Sequence, residues 1–146
     1  MSLLDLLSVR EEWERYYAYK ASLGGPSGRL EELRAFIDKE EYLPVCAGIM
    51  AGEPFPLPRK AAISKRSSRK KRTVYVYPRA HTMVLKLLTY LLLRRYDHLF
   101  PENLHSFRPG HSAQQAFRAL SGRPGIGALW SYKTDVSNYF NSIIKI

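Results

Sequence analysis

At 146 residues and 16.8 kDa, with 45% hydrophobic residues, the chain has the size of one domain and enough apolar side chains to bury a core. Its 23 Lys and Arg exceed its 13 Asp and Glu, and a formal charge of +10 points to a polyanionic partner more readily than to an ordinary small metabolite. A single cysteine, Cys46, excludes an internal disulfide and a Cys-rich zinc site, and the four histidines are too scattered to suggest a structural metal cluster.

In chain order, Leu3 to Lys20 predicts one helix, anchored by Trp13, Tyr16 and Tyr17. The Leu23 to Gly28 stretch, with three glycines and Pro26, breaks it, and apolar spacing through Leu30, Leu33, Phe36 and Ile37 predicts a second helix over Arg29 to Glu41. Pro44 ends that helix or lies just beyond it, and the prolines between Glu53 and Pro58 predict an extended connector. Ala61, Ile63 and Lys65 then lead into a polar turn, Arg66 to Lys70, and out through Thr73-Val-Tyr-Val-Tyr77, a β-hairpin pattern. Alternation puts Thr73, Tyr75 and Tyr77 on one face and Val74 and Val76 on the other. From His81 to His98, Val84, Leu87, Leu88, Leu91 and Leu92 recur at helical spacing and predict a core helix. Ser106 to Gly110 reads as a loop, and Ser112 as the N-cap of a helix through Leu120. The glycines and proline of 122 to 127 make another loop, and Ala128 to Phe140 predicts a strand that ends near Val136. No internal repeat is present.

Charge is unevenly placed. Residues 1 to 55 carry six Lys and Arg against ten Asp and Glu, whereas residues 56 to 146 carry 17 against three. Eight basic residues and no acidic one fall between Arg59 and Arg72: Arg59, Lys60, Lys65, Arg66, Arg69, Lys70, Lys71 and Arg72. Such a density repels itself unless a counter-charge is near, so it reads as a phosphate-binding surface, against the plainer alternative of a solvated basic loop.

Three separated segments together resemble the fingers and early palm of a reverse transcriptase, of the bacterial type related to group II intron proteins and retrons. They are Ile63-Ser-Lys-Arg-Ser-Ser-Arg-Lys-Lys-Arg-Thr-Val-Tyr-Val-Tyr-Pro78 with the leucine-rich helix after it, Ser106-Phe-Arg-Pro-Gly-His-Ser112, and Lys133-Thr-Asp-Val-Ser-Asn-Tyr-Phe-Asn-Ser-Ile143. The resemblance implies an α+β fold: a helical N-terminal extension over 1–55, a fingers region of right-hand polymerase type over 56–127, and the beginning of a palm over 128–146.

The resemblance also implies roles. Nucleotidyl transfer needs divalent ions, Mg2+ or Mn2+, that activate the primer hydroxyl and neutralise the developing charge, and Asp135 matches the family's first metal-binding aspartate. Its rivals are an exposed aspartate or an N-cap for the turn at Ser137. Lys65 and Arg72 match the fingers residues that reach the triphosphate of the incoming dNTP, while Val136 and Phe140 fall beside that nucleotide, with Phe140 as the steric gate against a 2′ hydroxyl or else a core residue of the palm. Arg66, Arg69, Lys70 and Lys71 match a template-backbone surface. Arg79 falls near the templating nucleotide or makes a helix-start salt bridge, and Arg108 contacts template phosphate or braces its loop. Phe107 is expected to pack beneath the junction of fingers and palm.

One carboxylate is too few for two ions, and the family's paired aspartates have no match among Asp5, Asp38, Asp97 and Asp135. Two functions from different classes follow. One is the N-terminal part of an RNA-directed DNA polymerase, with an RNA template, a primer, dNTP and a structured cognate RNA as partners, in which the 146 residues alone are inactive. The other is a noncatalytic RNA-binding fingers module. The apolar stretch from Val84 to Leu93 is interrupted by Lys86 and falls short of the roughly 20 residues that span a bilayer. Asp5 interrupts the first leucines and Arg10, Glu11 and Glu12 follow, unlike a secretory signal, so a cytoplasmic location with no membrane partner is the expectation.

Overall fold

Val9 is extended, at φ −85° and ψ 116°, and splits the first leucine-rich stretch into a 3-10 turn, Asp5–Ser8, and a helix α1, Arg10–Ser22. The expectation of one helix from Leu3 is corrected at this point, and the reason is visible at Leu7. In a continuous helix its carbonyl would accept the amide four residues on. Here that oxygen accepts the indole Nε1–H of Trp13 at 2.7 Å and the Sγ–H of Cys46 at 3.3 Å, while the Leu7 side chain is buried. The computed structural model describes residues 2–24, 26–64 and 71–136, with Arg72 by its backbone alone. The chain divides into two units, Met1–Phe100 and Pro101–Ile146.

The first unit is a helical core with a hairpin. Helix α2, Ser27–Asp38, buries Leu33, Phe36 and Ile37, one stripe at helical spacing. It ends in a left-handed residue, Glu40 at φ 53°, whose amide donates to Ile37 O while that of Glu41 donates to Phe36 O, closing the last turn. Of the two expectations for Pro44, the second holds, since it lies beyond the end of α2, and there it opens a further helix. It lies in the first turn of α3, Leu43–Met50, where a missing N–H costs no hydrogen bond. This helix is an addition to the elements expected from sequence. Gly52, at φ 72°, closes it with the same pair of bonds, its own amide to Ile49 O and that of Glu53 to Gly48 O.

Strands β1, Arg59–Ser64, and β2, Lys71–Val76, pair antiparallel in the register Arg59 with Val76 through Ser64 with Lys71. The turn between them lies outside the described residues. Helix α4, Arg79–Tyr96, begins directly after Pro78 and buries Met83, Val84, Leu87 and Leu91 against α1 and α3, as its periodicity predicts. Trp13 is fully buried between Phe36 and Tyr42, with ring centroids 5.4 and 4.8 Å away. Among the described residues no helix is long and apolar enough to cross a membrane.

In the second unit, Ser112 caps α5, Ala113–Ser121, as expected. Its Oγ accepts the Gln115 amide at 3.2 Å, and the Gln115 side chain accepts the Ser112 amide at 2.8 Å, a complete capping box. A 3-10 turn follows at Ile126–Ala128. The strand expected from Ala128 is not formed over the described part, since residues 130–136 have no regular structure and are exposed. A strand needs a neighbour for its backbone donors and acceptors, and the two strands among the described residues pair with each other. The described chain is thus a mixed α+β arrangement: a helical N-terminal region and a small antiparallel hairpin.

Candidate nucleic-acid interface

The hairpin register sorts its side chains. Residues opposite each other share a face, so Ala61 lies with Val74, both half-buried, while Lys60 lies with Tyr75, Ala62 with Thr73 and Ser64 with Lys71 on the other side. That second face is exposed along its length, and Tyr75 leaves 61% of its surface in water. An exposed phenol flanked across the strands by one ammonium, with a second at the far end, offers a stacking surface for a base and point charges for phosphates. Tyr77, just past the end of β2, is half-buried. Its ring meets Phe55 edge-on at 5.4 Å, and Phe55 in turn meets His81 at 5.1 Å, which ties the hairpin's end to α4. Between β2 and α4 runs a shallow groove of about 270 Å3, lined by Tyr75, Tyr77, Thr82, Lys86 and Thr89 among others.

The other expected site residues are distributed as follows. Lys65, Arg66, Arg69 and Lys70 lie outside the described residues, as does Phe140. Lys71 is exposed at the start of β2, and the backbone of Arg72 pairs with Ile63. Arg79 opens α4 and makes the helix-start salt bridge, with Nε 2.6 Å from Glu32 Oε1 and Nη1 3.0 Å from Glu41 Oε2. The bond to Glu32 holds its guanidinium above the ordinary arginine pKa. Arg108 braces its loop, donating from Nη1 to the carbonyls of Pro101 at 2.9 Å and Leu104 at 3.1 Å. Phe107 is 98% exposed at φ 60°, so the packed position expected for it is not the one it takes. Its left-handed backbone turns the ring outward while Arg108 holds the loop.

Asp135 and Val136 are both exposed in the irregular segment. Among the described residues no three His, Cys, Asp or Glu side chains come close enough to hold a metal ion. A hard divalent ion prefers oxygen ligands, and the ligands it would add to Asp135 do not come from a neighbouring cluster among the described residues.

Sequence reasoning missed Lys60 as a partner of Tyr75. The signal existed, because pairing the Arg59–Ser64 segment outward from the polar turn sets the register; alternation within β2 alone does not reveal it.

No protein-family model matches the chain, and no solved structure matches it. It is 23% identical over 132 residues to the group II intron-encoded protein LtrA of Lactococcus lactis subsp. cremoris, and identically so to that of strain MG1363. The match takes in 90% of this chain and 22% of the relative, so the chain spans about a fifth of the length of these curated relatives. The similarity is that of a distant relationship.

Proposed function

We propose that the chain is an RNA-binding module of fingers type, related to the corresponding part of group II intron-encoded proteins. The observation that carries this is the exposed hairpin face on which Lys60 stands opposite Tyr75, with Lys71 on the same side. It is supported by the basic run of the sequence that joins the two strands, and by the distant similarity to LtrA over 90% of the chain. Phosphate contacts from the lysines position a strand and release counterions, while the tyrosine stacks on a base without reading its identity.

The test is fluorescence anisotropy of a mixed-sequence single-stranded RNA titrated with the full chain at several salt concentrations. Binding is expected to weaken steeply with salt and to be lost in the Lys60→Ala/Tyr75→Ala double variant. Lys39→Ala, a charge removed at the exposed end of α2, leaves it intact. Equal affinities for the three proteins overturn the assignment.

A second reading is that, within a longer protein, this module belongs to an RNA-directed DNA polymerase with right-hand architecture. Its support is the order of the three resembling segments together with the intron-encoded relative. In that setting Asp135 supplies one carboxylate to a Mg2+ or Mn2+ site completed by residues outside this sequence, and the ions would supply charge neutralisation at the transferring phosphate. Lys65 and Arg72 take the triphosphate, Val136 and Phe140 the nucleotide, and Arg66, Arg69, Lys70 and Lys71 the template backbone. Comparing dNTP with rNTP use on one RNA template tests it: Phe140→Ala relaxes the preference for dNTP, and an unchanged ratio in an active enzyme counts against the gate.

A further inference from the structure

One cavity of the first unit lies apart from the hairpin. It opens among α1, α2 and α4, has a volume of about 390 Å3, and carries an apolar lining that includes Leu23, Leu30, Leu33 and Met83. Three cations line it as well: Lys20, Arg29 and Lys86. Five other arginines of the unit face carboxylates. Arg10 meets Glu14, Asp38 and Glu40, Arg34 meets Glu14 and Asp38, Arg15 and Arg94 meet Glu12, and Arg79 meets Glu32 and Glu41. Among the described residues no carboxylate pairs with Lys20, Arg29 or Lys86. Glu32, the one acidic residue in the lining, is held by Arg79. The cavity therefore keeps an uncompensated positive charge above an apolar floor.

The backbone adds to it. Helix α2 starts at this cavity, with Pro26 as its N-cap and Arg29 in its first turn. The Arg29 amide donates to Pro26 O at 3.1 Å, but no side chain caps that end and no acidic residue sits in its first turn, so the positive end of its dipole faces the cavity without a negative side chain. The ammonium of Lys20 is steadied 5.6 Å from the centroids of both Tyr16 and Tyr19. Lys86 also lines the groove beside Tyr75, so one side chain borders the cavity and the hairpin groove together.

From these features we infer that the cavity is a second nucleotide site: the phosphate sits at the start of α2 among Lys20, Arg29 and Lys86, and the base lies against Leu23, Leu30 and Met83. The volume suits one ligand of nucleotide size. An amphipathic anion is what such a lining selects, since an inorganic ion leaves the apolar floor wet and an apolar molecule leaves three charges unmatched. The anion site stands on the cavity alone; preferring a nucleotide over other phosphate esters rests on the RNA-binding reading. The nucleotide is either free or an unpaired position of a strand that crosses from the hairpin past Lys86.

The experiment follows the Met83 methyl signal, assigned through Met83→Leu, in the full chain titrated with AMP, inorganic phosphate, a short single-stranded RNA and an oligoglutamate peptide. AMP is expected to shift Met83 and to bind more tightly than phosphate, and Lys20→Gln and Arg29→Gln are each expected to weaken it by about tenfold, the loss typical of one charged hydrogen bond. A response to RNA at far lower concentration than to AMP makes the source a strand; equal responses make it a free nucleotide. Phosphate binding as tightly as AMP, AMP affinity unchanged in both variants, a preference for oligoglutamate, or a Met83 signal that no nucleic acid moves each overturns the site. RNA binding that ignores Lys60→Ala and Tyr75→Ala sinks the hairpin assignment and leaves the AMP result standing.

Discussion

Arg94, in the last turn of α4, reaches back to Glu12 near the start of α1, placing Nη1 2.8 Å from an Oε2 whose side chain is only 5% exposed. Arg15 donates to the other carboxylate oxygen at 2.6 Å. A carboxylate so enclosed is tolerated because two guanidiniums face it, and the bond to Arg94 first, with the charges of both arginines, holds its pKa below the ordinary glutamate value of 4.5.

Stability should therefore fall in acid through Glu12. A carboxyl whose folded pKa lies below its unfolded one contributes fully above the unfolded value, and that contribution is lost as pH drops from about 4.5 through the folded pKa. Arg94→Ala is expected to cost about 1–2 kcal/mol at pH 7, less than breaking a fully buried pair because Arg15 retains its bond. The difference in stability between the parent and Glu12→Gln should shrink as pH falls below that value. Urea melts at pH 7 and pH 3 measure both, and a gap that stays constant would contradict the linkage.

Three helix ends close in the left-handed region, two of them on glycines, Gly24 after α1 and Gly52 after α3, and one on Glu40. Gly52 closes α3 at φ 72°, where it has no Cβ to strain, but Glu40 closes α2 at φ 53°. Its one ion pair there, 3.6 Å from Arg10, is exposed and worth little. Glu40→Gly is expected to raise stability by about 0.5–1 kcal/mol, the relief of the left-handed strain less the added freedom of the unfolded glycine. Gly52→Ala should lower it by a similar amount. Thermal melts of the two variants should move in opposite directions, and a fall in both would remove backbone strain as the explanation.

Much of this fold is legible in the sequence where the signal is local. Val84, Leu87 and Leu91 announce α4, Thr73 to Val76 announces β2, and Ser112 with Gln115 three positions on announces the start of α5. Pro44 conceals α3 because the same missing N–H that stops a helix interior is harmless in a first turn. The pairs that bind elements together are long-range. Arg79 finds its carboxylates 47 and 38 positions earlier, and no periodicity encodes that. The cavity's charge is hidden for the same reason, since Lys20, Arg29 and Lys86 come together only once α1, α2 and α4 have packed.

Cys46 should be inert in the native protein. It is buried, its Sγ–H is directed at Leu7 O, and burial pushes its pKa up to about 11. At pH 8 almost none of it is thiolate, the form that reacts. Iodoacetamide is expected to leave the folded chain unmodified over hours and to label it within minutes in denaturant, as read by intact mass. Rapid labelling without denaturant would mean that the turn at Leu7 opens readily, and Trp13, which shares that carbonyl, would then report the opening by its fluorescence.

On the hairpin, two tyrosines two residues apart should behave in opposite ways. Tyr75 is largely in water, so Tyr75→Ala is expected to leave the melting temperature almost unchanged and to cost RNA binding about 1–3 kcal/mol, the usual worth of one stacked base. Tyr77 packs on Phe55, so Tyr77→Ala should lower stability by roughly 1–3 kcal/mol. Lysines act differently from either, since removing one phosphate contact changes the salt dependence as well as the affinity. Lys60→Ala and Lys71→Ala are each expected to flatten the plot of log K against log salt by about 0.7, the increment for one phosphate on a single strand, while Tyr75→Ala shifts the line without changing its slope. Anisotropy titrations at four salt concentrations separate the two effects. A slope that changes in Tyr75→Ala but in neither lysine variant would place the strand on another surface.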